Sequence, residues 1–199
     1  MELTLKRLEA YLIGAGSERR CYRNPDNPGT VIKLSCNAKK SGKADSIQTQ
    51  REIAYYAFLK KKGVPLTHLP EIIRTLEIEG HEGFEQAAVL DADGKPSRTL
   101  FYYLFEDRCS SISLDEVRRL LDILKNYLMR WNIVSCDING SNILLQHRAD
   151  GSWHPMIIDG LGTMDFIPLC QYLPWWGRRK LARHWDKLQM KIRNKGVDL

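Results

Sequence analysis

The chain has 199 residues, of which 43% are hydrophobic and 27% are charged, values that are ordinary for a globular protein. This length suits one domain or two small lobes. The sequence contains no run of 18 apolar residues, so it predicts no membrane-spanning helix. The first twenty residues lack a small-residue cleavage site after an apolar core, and we expect no signal peptide.

The cysteines, the histidines and the charge distribution narrow the class of protein further. Five cysteines are widely spaced and never form a Cys-x-x-Cys pair, which is typical of reduced thiols in a cytoplasmic protein. The five histidines lack metal-ligand spacing, so a zinc site is not expected. The net charge of +6 is a C-terminal feature, because the segment 175–199 holds eight basic and two acidic residues and the rest is neutral.

The N-terminal part predicts a strand-rich unit with one helix. Residues 3–36 have the pattern strand, glycine turn, strand, loop, strand. Residues 71–79 and 84–91 predict two more strands, joined by a turn over 79–83.

A single helix is predicted from Ser46 to Lys62, where Gly63 and Pro65 end it. Glu52 lies beside its predicted apolar face, whose members are Ile53, Tyr56, Ala57 and the stem of Lys60.

The character of the sequence changes near residue 97. Apolar residues from Leu114 to Trp131 recur at spacings of three and four, which predicts an amphipathic helix. Ser113 is its predicted N-cap, with Glu116 as the capping-box partner. Three short buried strands are then predicted at 133–134, 143–145 and 156–158. A hairpin turn at 149–151 is predicted between the last two strands.

Polar residues stand at the ends of these predicted strands in an order typical of phosphoryl transfer. Asp137 is followed five residues later by Asn142, and Asp159 closes the next apolar run. Such a site needs an acid for the acceptor hydroxyl, an amide that holds a metal, and a second acid between metal and phosphates. Taken singly, Asp137 is equally explained as a turn residue or cap, and Asn142 as a backbone-capping amide.

Two further positions fit the same chemistry. Lys33 lies inside a predicted strand, and burying its ammonium costs several kcal/mol unless a counter-charge is supplied. Glu52 on the following helix is the natural supplier. The turn Gly14-Ala15-Gly16 precedes them, and a dinucleotide-binding interpretation is weaker because Arg19 replaces the third glycine and no long helix follows.

On these residues the chain resembles the protein-kinase-like superfamily, and most closely the small bacterial PhoP-regulatory-network YrbL proteins. The resemblance covers roughly residues 8–170. Its more family-specific part is Asp93-Gly-Lys-Pro-Ser97 with Thr99-Leu100; the superfamily-wide part includes Val31-Ile-Lys33, Arg51-Glu52, Asp137-x-x-x-x-Asn142 and Ile158-Asp159. It implies an α+β, compact two-lobed kinase-like fold with a truncated C-terminal lobe, divided into residues 1–91 and 92–199.

The resemblance also implies roles for these residues, with ATP and Mg²⁺ as cofactors. Gly14, Ala15, Gly16 and Ser17 would cover the nucleotide phosphates. Lys33 would contact the α- and β-phosphates and pair with Glu52. Val89, Leu90 and Asp91 would form the hinge that meets the adenine. Asp137 would orient and deprotonate an acceptor hydroxyl, and Asn142 and Asp159 would hold Mg²⁺.

The sequence departs from the kinase pattern in ways that bear on the acceptor. Ser135-Cys136 replaces the usual His-Arg, Asn139 stands where many kinases have a phosphate-contacting lysine, and Leu161 breaks the Asp-Phe-Gly triplet. Only 40 residues follow Asp159, with no Ala-Pro-Glu element. We therefore expect a kinase that acts on a small molecule or glycan, with a pseudokinase or nucleotide-binding regulator of a partner protein as the alternative.

The C-terminal segment 173–192 predicts a basic helix that begins with paired tryptophans. Leu181, Trp185, Leu188 and Ile192 share one side, which predicts packing on the second lobe with a solvated basic face. Peripheral membrane contact through this helix is an alternative. Nucleic-acid binding is not expected, because no recognition motif accompanies the basic residues.

Overall fold

The computed structural model describes residues 3–16, 18–36, 47–162 and 169–198. The chain divides into two units, each with its own internal contacts. The first comprises Met1–Gly63 and Pro70–Ala88, and the second comprises Val64–Leu69 and Val89–Leu199. Helices and strands occur in both units, so the fold belongs to the α+β class, as the sequence predicts.

A short helix, α1 (Leu5–Glu9), opens the first unit where the sequence pattern predicts the beginning of a strand. Its N-cap is Thr4, whose hydroxyl oxygen accepts a hydrogen bond from the Arg7 amide at 3.3 Å. Leu8 is fully buried. The cap and this buried leucine stabilise a helical turn that the local strand propensity of the segment does not reveal.

A five-stranded antiparallel sheet, in the order β1-β2-β3-β5-β4, forms the body of the first unit. One face carries the apolar core cluster of Leu8, Tyr22, Ile32, Leu34 and Ile78. The strands are β1 (Leu12–Ala15), β2 (Arg19–Arg23), β3 (Thr30–Ser35), β4 (Ile72–Ile78) and β5 (His81–Ala87). The turn before β5 is shorter than predicted.

The predicted helix is present as α2 (Ile47–Lys61), but of its predicted apolar face only Tyr56 is buried. Ala57 and Lys60 are exposed. The buried side chains are Thr49, Glu52, Tyr55, Tyr56 and Leu59. The face is rotated because Glu52 points inward to an ion pair, which hydrophobic periodicity does not register.

The second unit combines a three-stranded sheet with helices. Its sheet has the order β6-β7-β8, and the β7–β8 hairpin turns at Gly151, whose φ is +79°, as the sequence predicts. The elements are β6 (Arg98–Thr99), a π-helical turn (Tyr102–Glu106), α3 (Leu114–Trp131), β7 (Ile143–His147), β8 (Trp153–Ile157), α4 (Leu169–Tyr172) and α5 (Pro174–Arg193).

Two amphipathic helices build the core of this unit as predicted. In α3 the Ser113 hydroxyl accepts from the Glu116 amide at 3.2 Å, and Val117, Leu121, Leu124 and Leu128 are buried. In α5 the buried residues are Gly177, Leu181, Trp185, Leu188 and Ile192. The predicted strand at 133–134 is buried, but pairing occurs one residue later, as a bridge between Ser135 and Leu161. Within the described ranges, no helix is both long enough and apolar enough to span a bilayer.

Candidate active site

Two basic side chains share the face of the first sheet that lies opposite its apolar core. Lys33 pairs in register with Cys21 on β2 and with Phe84 on β5, while Arg19 lies two residues before Cys21. Side chains alternate along a strand and match across it, so Arg19, Lys33 and Phe84 face the same way. Lys33 is 5% exposed and Arg19 is 7% exposed. The sheet therefore buries two cations side by side.

The buried carboxylate of Glu52 balances these cations from α2. Arg19 Nη1 donates to Glu52 Oε2 at 2.5 Å, and Glu52 is only 1% exposed. The Lys33 ammonium lies 5.6 Å and the Arg19 guanidinium 5.9 Å from the Phe84 ring centroid. Sequence reasoning missed Arg19; the signal was a second cation at an inward-facing strand position. The Lys33–Glu52 contact implied by the resemblance stays a prediction.

The glycine turn precedes this cluster at the first hairpin. Gly14 and Ala15 belong to β1, and the Gly16 amide donates to the Arg19 carbonyl at 2.8 Å. This bond closes the turn between β1 and β2. Ser17 lies outside the described residues.

In the second unit, Asp137 and Asn142 are in direct contact. Asn142 Nδ2 donates to Asp137 Oδ2 at 3.0 Å, and the Asn142 amide donates to the Asn139 carbonyl at 2.9 Å. Asp137 is exposed, whereas Asn142 is half-buried. With its NH₂ group directed to Asp137, the side-chain oxygen of Asn142 is the atom left to bind a cation.

Asp159 is brought to the same end of the β7–β8 hairpin. The Ile158 amide donates to the Asn142 carbonyl at 3.0 Å, which places Asp159 one residue beyond this bond. Gly160 then packs on the backbone of Asp137, where a Cβ would lie only 2.9 Å from the Asp137 carbonyl oxygen. Its φ of +77° also favours glycine. Glycine is thus the residue that lets the two acidic segments meet.

The Gly160 carbonyl accepts hydrogen bonds from residues 135 and 136, which precede Asp137. The donors are the Ser135 hydroxyl, at 2.8 Å, and the Cys136 amide, at 2.9 Å. Burial raises the pKa of the Cys136 thiol, and the charges of Asp137 and Asp159 raise it further. The two carboxylates therefore act on the same small region.

The donors at this end of the hairpin are oxygens, the ligands that Mg²⁺ prefers. Across the described ranges, no three His, Cys, Asp or Glu side chains cluster as a metal cage. A site with one carboxylate and one amide fits Mg²⁺ because this ion keeps waters and takes substrate phosphates as its other ligands. Asn142 and Asp159 thus fit the ion that the resemblance implies.

The segment predicted to be the hinge already uses most of its main-chain groups. The Val89 carbonyl accepts from the Ser97 amide at 3.0 Å, and the Leu90 carbonyl accepts from Gln146 Nε2 at 2.8 Å. The Asp91 amide donates to the Lys95 carbonyl at 2.8 Å. An adenine that accepted a hydrogen bond from the Asp91 amide would have to displace the bond to Lys95, whereas each carbonyl can accept a second hydrogen bond.

Comparison with known proteins places the chain in a family. The family model described as PhoP regulatory network protein YrbL matches residues 4–193. The chain belongs to the YrbL family. Relatives in Escherichia coli K12 and Shigella flexneri, each described as uncharacterized protein YrbL, are 29% identical over 175 residues, covering 88% of this chain and 81% of theirs.

Similarity to solved structures shows that the chain has a kinase-like fold. The kinase domain of PF14_0431 has a TM-score of 0.53 at 15% identity, over 75% of this chain and 48% of that one. The apo form of PpkA-294 also has a TM-score of 0.53, at 16% identity, over 91% of this chain and 62% of that one. The chain therefore spans about half to three-fifths of the length of these two solved structures.

Proposed function

We propose that this member of the YrbL family is an Mg·ATP-dependent phosphotransferase that acts on a hydroxyl group of a small molecule or glycan. In the first unit, Lys33 would contact the α- and β-phosphates of ATP. Arg19 and Glu52 would be the charged residues next to it. The glycine turn at 14–17 would cover those phosphates, and residues 89–91 would contact the adenine. The second unit would supply the acid and the metal ligands.

The contact between Asp137 and Asn142, with Asp159 at the same hairpin end, carries this proposal. Asp137 is exposed, so its carboxylate is accessible to an acceptor hydroxyl, which it would orient and deprotonate. Asn142 and Asp159 would hold Mg²⁺, and the bound ion would neutralise charge on the phosphates. The Asn142 amide holds Asp137 in place through its hydrogen bond.

Nucleotide binding and ATP turnover, measured with and without Mg²⁺, test the proposal. We expect Asp159→Asn to remove the Mg²⁺ dependence of ATP binding. Asp150→Asn is the matched control, because Asp150 lies at the opposite, exposed end of the same hairpin and accepts only from Ser152 among the bonds described. The metal assignment would be contradicted if ATP binding to the unsubstituted protein did not depend on Mg²⁺ and if Asp159→Asn left that binding unchanged.

A nucleotide-binding regulatory module, or pseudokinase, is the second candidate. Two observations favour it: the Asp91 amide already donates to the Lys95 carbonyl, and the family is described as a regulatory network protein. Such a module would bind ATP and act on a partner protein without phosphoryl transfer. Tight Mg·ATP binding with no phosphate release or transfer, and with no effect of Asp137→Asn, would select it over the enzyme.

Cytoplasmic location remains part of this proposal, as does peripheral membrane contact through residues 173–192. The exposed Trp175 and Trp176 at the start of α5, which are 63% and 53% exposed, support the membrane version.

A further inference from the structure

Basic residues form a stripe on α5 next to its buried side. Lys180, His184, Lys187 and Lys191 follow one another at spacings of four, three and four, so they share one face of the helix. The neighbouring face, which includes Leu181 and Trp185, is buried. We call Lys180, His184, Lys187 and Lys191 the basic stripe. The buried face fixes the direction in which the stripe points.

The helix is tied to the end of α3 and lies along the loop that carries Asp137. Arg178 Nε donates to the Met129 carbonyl at 3.1 Å, and Asn132 Nδ2 donates to the Cys170 carbonyl just before α5 at 3.0 Å. Burial, the largest cause, lowers the pKa of the His184 imidazole, and the negative charge of Asp137 opposes this shift. The contact of Lys191 with Asn139 places the end of the stripe at the loop that carries Asp137.

At the far end of the stripe, Lys191 reaches the loop itself. Its ammonium donates to Asn139 Oδ1 at 3.2 Å, two residues beyond Asp137. It also lies 5.2 Å from the ring centroid of Phe101, whose amide donates to the Gly140 carbonyl at 3.3 Å. A Cβ on Gly140 would lie 2.1 Å from that ring. Phe101 is thus packed directly on the same loop.

A second ammonium converges on this ring. Lys195 Nζ lies 5.2 Å from the Phe101 centroid and 4.7 Å from that of Phe105. In the part of the chain that the structure describes, neither Lys191 nor Lys195 forms an ion pair with a carboxylate. Their described partners are a neutral amide and aromatic faces, and two like charges at one ring repel each other. An anion bound between them would relieve that repulsion.

We propose that the acceptor carries an anionic group, a phosphate or a carboxylate, and that Lys191 and Lys195 bind this group beside Asp137. The inference rests on the proposed function, because Asp137 is the residue that would take the acceptor proton. It narrows the acceptor from any hydroxyl compound to one with negative charge near the hydroxyl that is phosphorylated. Asn139 occupies the loop position at which many kinases have a phosphate-contacting lysine. In this chain Lys191, which contacts Asn139, would supply the cation from α5.

Calorimetric titration of the full chain with inorganic phosphate tests the site without knowledge of the acceptor. We expect the double variant Lys191→Gln, Lys195→Gln to bind phosphate about tenfold or more weakly, because each charge-assisted hydrogen bond contributes that order of affinity. The variant Lys191→Arg, Lys195→Arg should stay within about threefold of the unsubstituted protein, because it keeps both charges. Thermal melting checks that each variant is folded.

The matched control is Lys61→Gln, Lys62→Gln at the end of α2. It removes the same charge, and Lys62 also lies over a ring, 4.5 Å from the Phe58 centroid. This control should bind phosphate as the unsubstituted protein does. Equal loss in the control and in the glutamine variant at 191 and 195 would overturn the proposal, since net charge alone would then explain the binding.

A second titration, with vesicles of phosphatidic acid or of phosphatidylcholine, distinguishes a free phosphate from a lipid headgroup. Binding of inorganic phosphate or of phosphatidic acid vesicles that depends on Lys191 and Lys195 supports the site. The probe that binds shows whether the anion is free phosphate or a lipid headgroup. Binding of neither form, or binding that both glutamine substitutions leave unchanged, overturns it. Mg·ATP affinity should be the same in all variants. Its absence from the unsubstituted protein, with phosphate binding intact, would refute the proposed function and leave the anion site standing.

Discussion

The two units hold their charged residues in different ways. In the first, Arg19, Lys33 and Glu52 are all less than a tenth exposed, and Glu52 pairs with Arg19 beneath α2. In the second, Asp137 is exposed, and its position is fixed by main-chain contacts around Gly160. Buried charges must be paired for the fold to form, whereas an exposed acid on a fixed backbone is replaceable at little cost. Substitution of the paired charges Arg19 and Glu52 should therefore lower stability, whereas substitution of Asp137 should lower activity with little loss of stability.

The largest effect expected is on catalysis in the second unit. We expect Asp137→Asn to lower ATP-dependent transfer by about 10²–10⁴-fold, the usual contribution of a positioned base. Its free energy of unfolding should change by less than about 0.5 kcal/mol, since the side chain is exposed. Paired turnover and urea-denaturation measurements check both values. A large loss of stability would show that this acid is structural, as Glu52 is.

The second effect compares two adjacent arginines on β2. Arg19 forms a buried pair with Glu52, whereas Arg20 pairs at 2.6 Å with Glu9 and both side chains are nearly half exposed. Arg19→Gln should cost about 3–5 kcal/mol, because it leaves a buried carboxylate without this partner. Arg20→Gln should cost much less, because solvent screens its exposed ion pair. Chemical denaturation measures both, and equal costs would mean that Lys33 alone balances Glu52.

A third effect concerns Glu85, a buried carboxylate of the first unit with no proposed role in transfer. Burial opposes its charge, but hydrogen bonds from Thr30, Arg74 and Asn24 outweigh this and lower its pKa. Its stabilisation is therefore full above the unfolded-state pKa and is lost as pH falls through the folded-state value. Glu85→Gln should cost about 1–3 kcal/mol at neutral pH.

Urea denaturation across acidic pH checks this sign. The difference in stability between the unsubstituted protein and Glu85→Gln should shrink as the pH falls below the usual range of glutamate titration. A difference that stays constant with pH would mean that shape, and not charge, decides the cost at this position.

The smallest effect is expected at the exposed tryptophans of the second unit. Trp175→Ser with Trp176→Ser should change the free energy of unfolding by less than about 0.5 kcal/mol, because both rings are mostly exposed. Trp185, 1% exposed, stays intact in this variant and holds α5 in place. Liposome flotation that is lost in the double variant supports membrane contact. Flotation that is unchanged removes that version of the proposal.

Elements with a strong apolar period were predicted well from the sequence. The helix α5 buries the residues that the spacing indicates, and α3 does so except at its ends, where Leu114 and Trp131 are half-buried. Ser113 caps α3. The buried face of α2 was predicted only in part, at Tyr56, because the ion pair of Glu52 also decides which side is buried. The helix α1 was missed because its cap and the tertiary burial of Leu8 override a strand-like local pattern.

The candidate site shows the same division between local and distant information. Asp137 and Asn142 are five residues apart, and one hairpin connects them to Asp159, so their proximity follows from the order of the sequence. The Arg19–Glu52 pair joins residues 33 apart, and the Lys191–Asn139 contact joins residues 52 apart. Contacts at such separations depend on tertiary packing, which single-sequence patterns do not encode.

The burial of Trp185, Leu188 and Ile192 determines the order in which the two units can fold during synthesis. The strands of the first unit are complete once residue 88 has been synthesised, whereas the second core waits for Ile192. At translation rates of about 5–20 residues per second, this delay is on the order of 5–20 s. The helix α3 is complete at Trp131, so in the later part of that interval the portion of its apolar side that packs on α5 is uncovered. The nascent chain is then at its greatest risk of aggregation, and a chaperone would have most to protect.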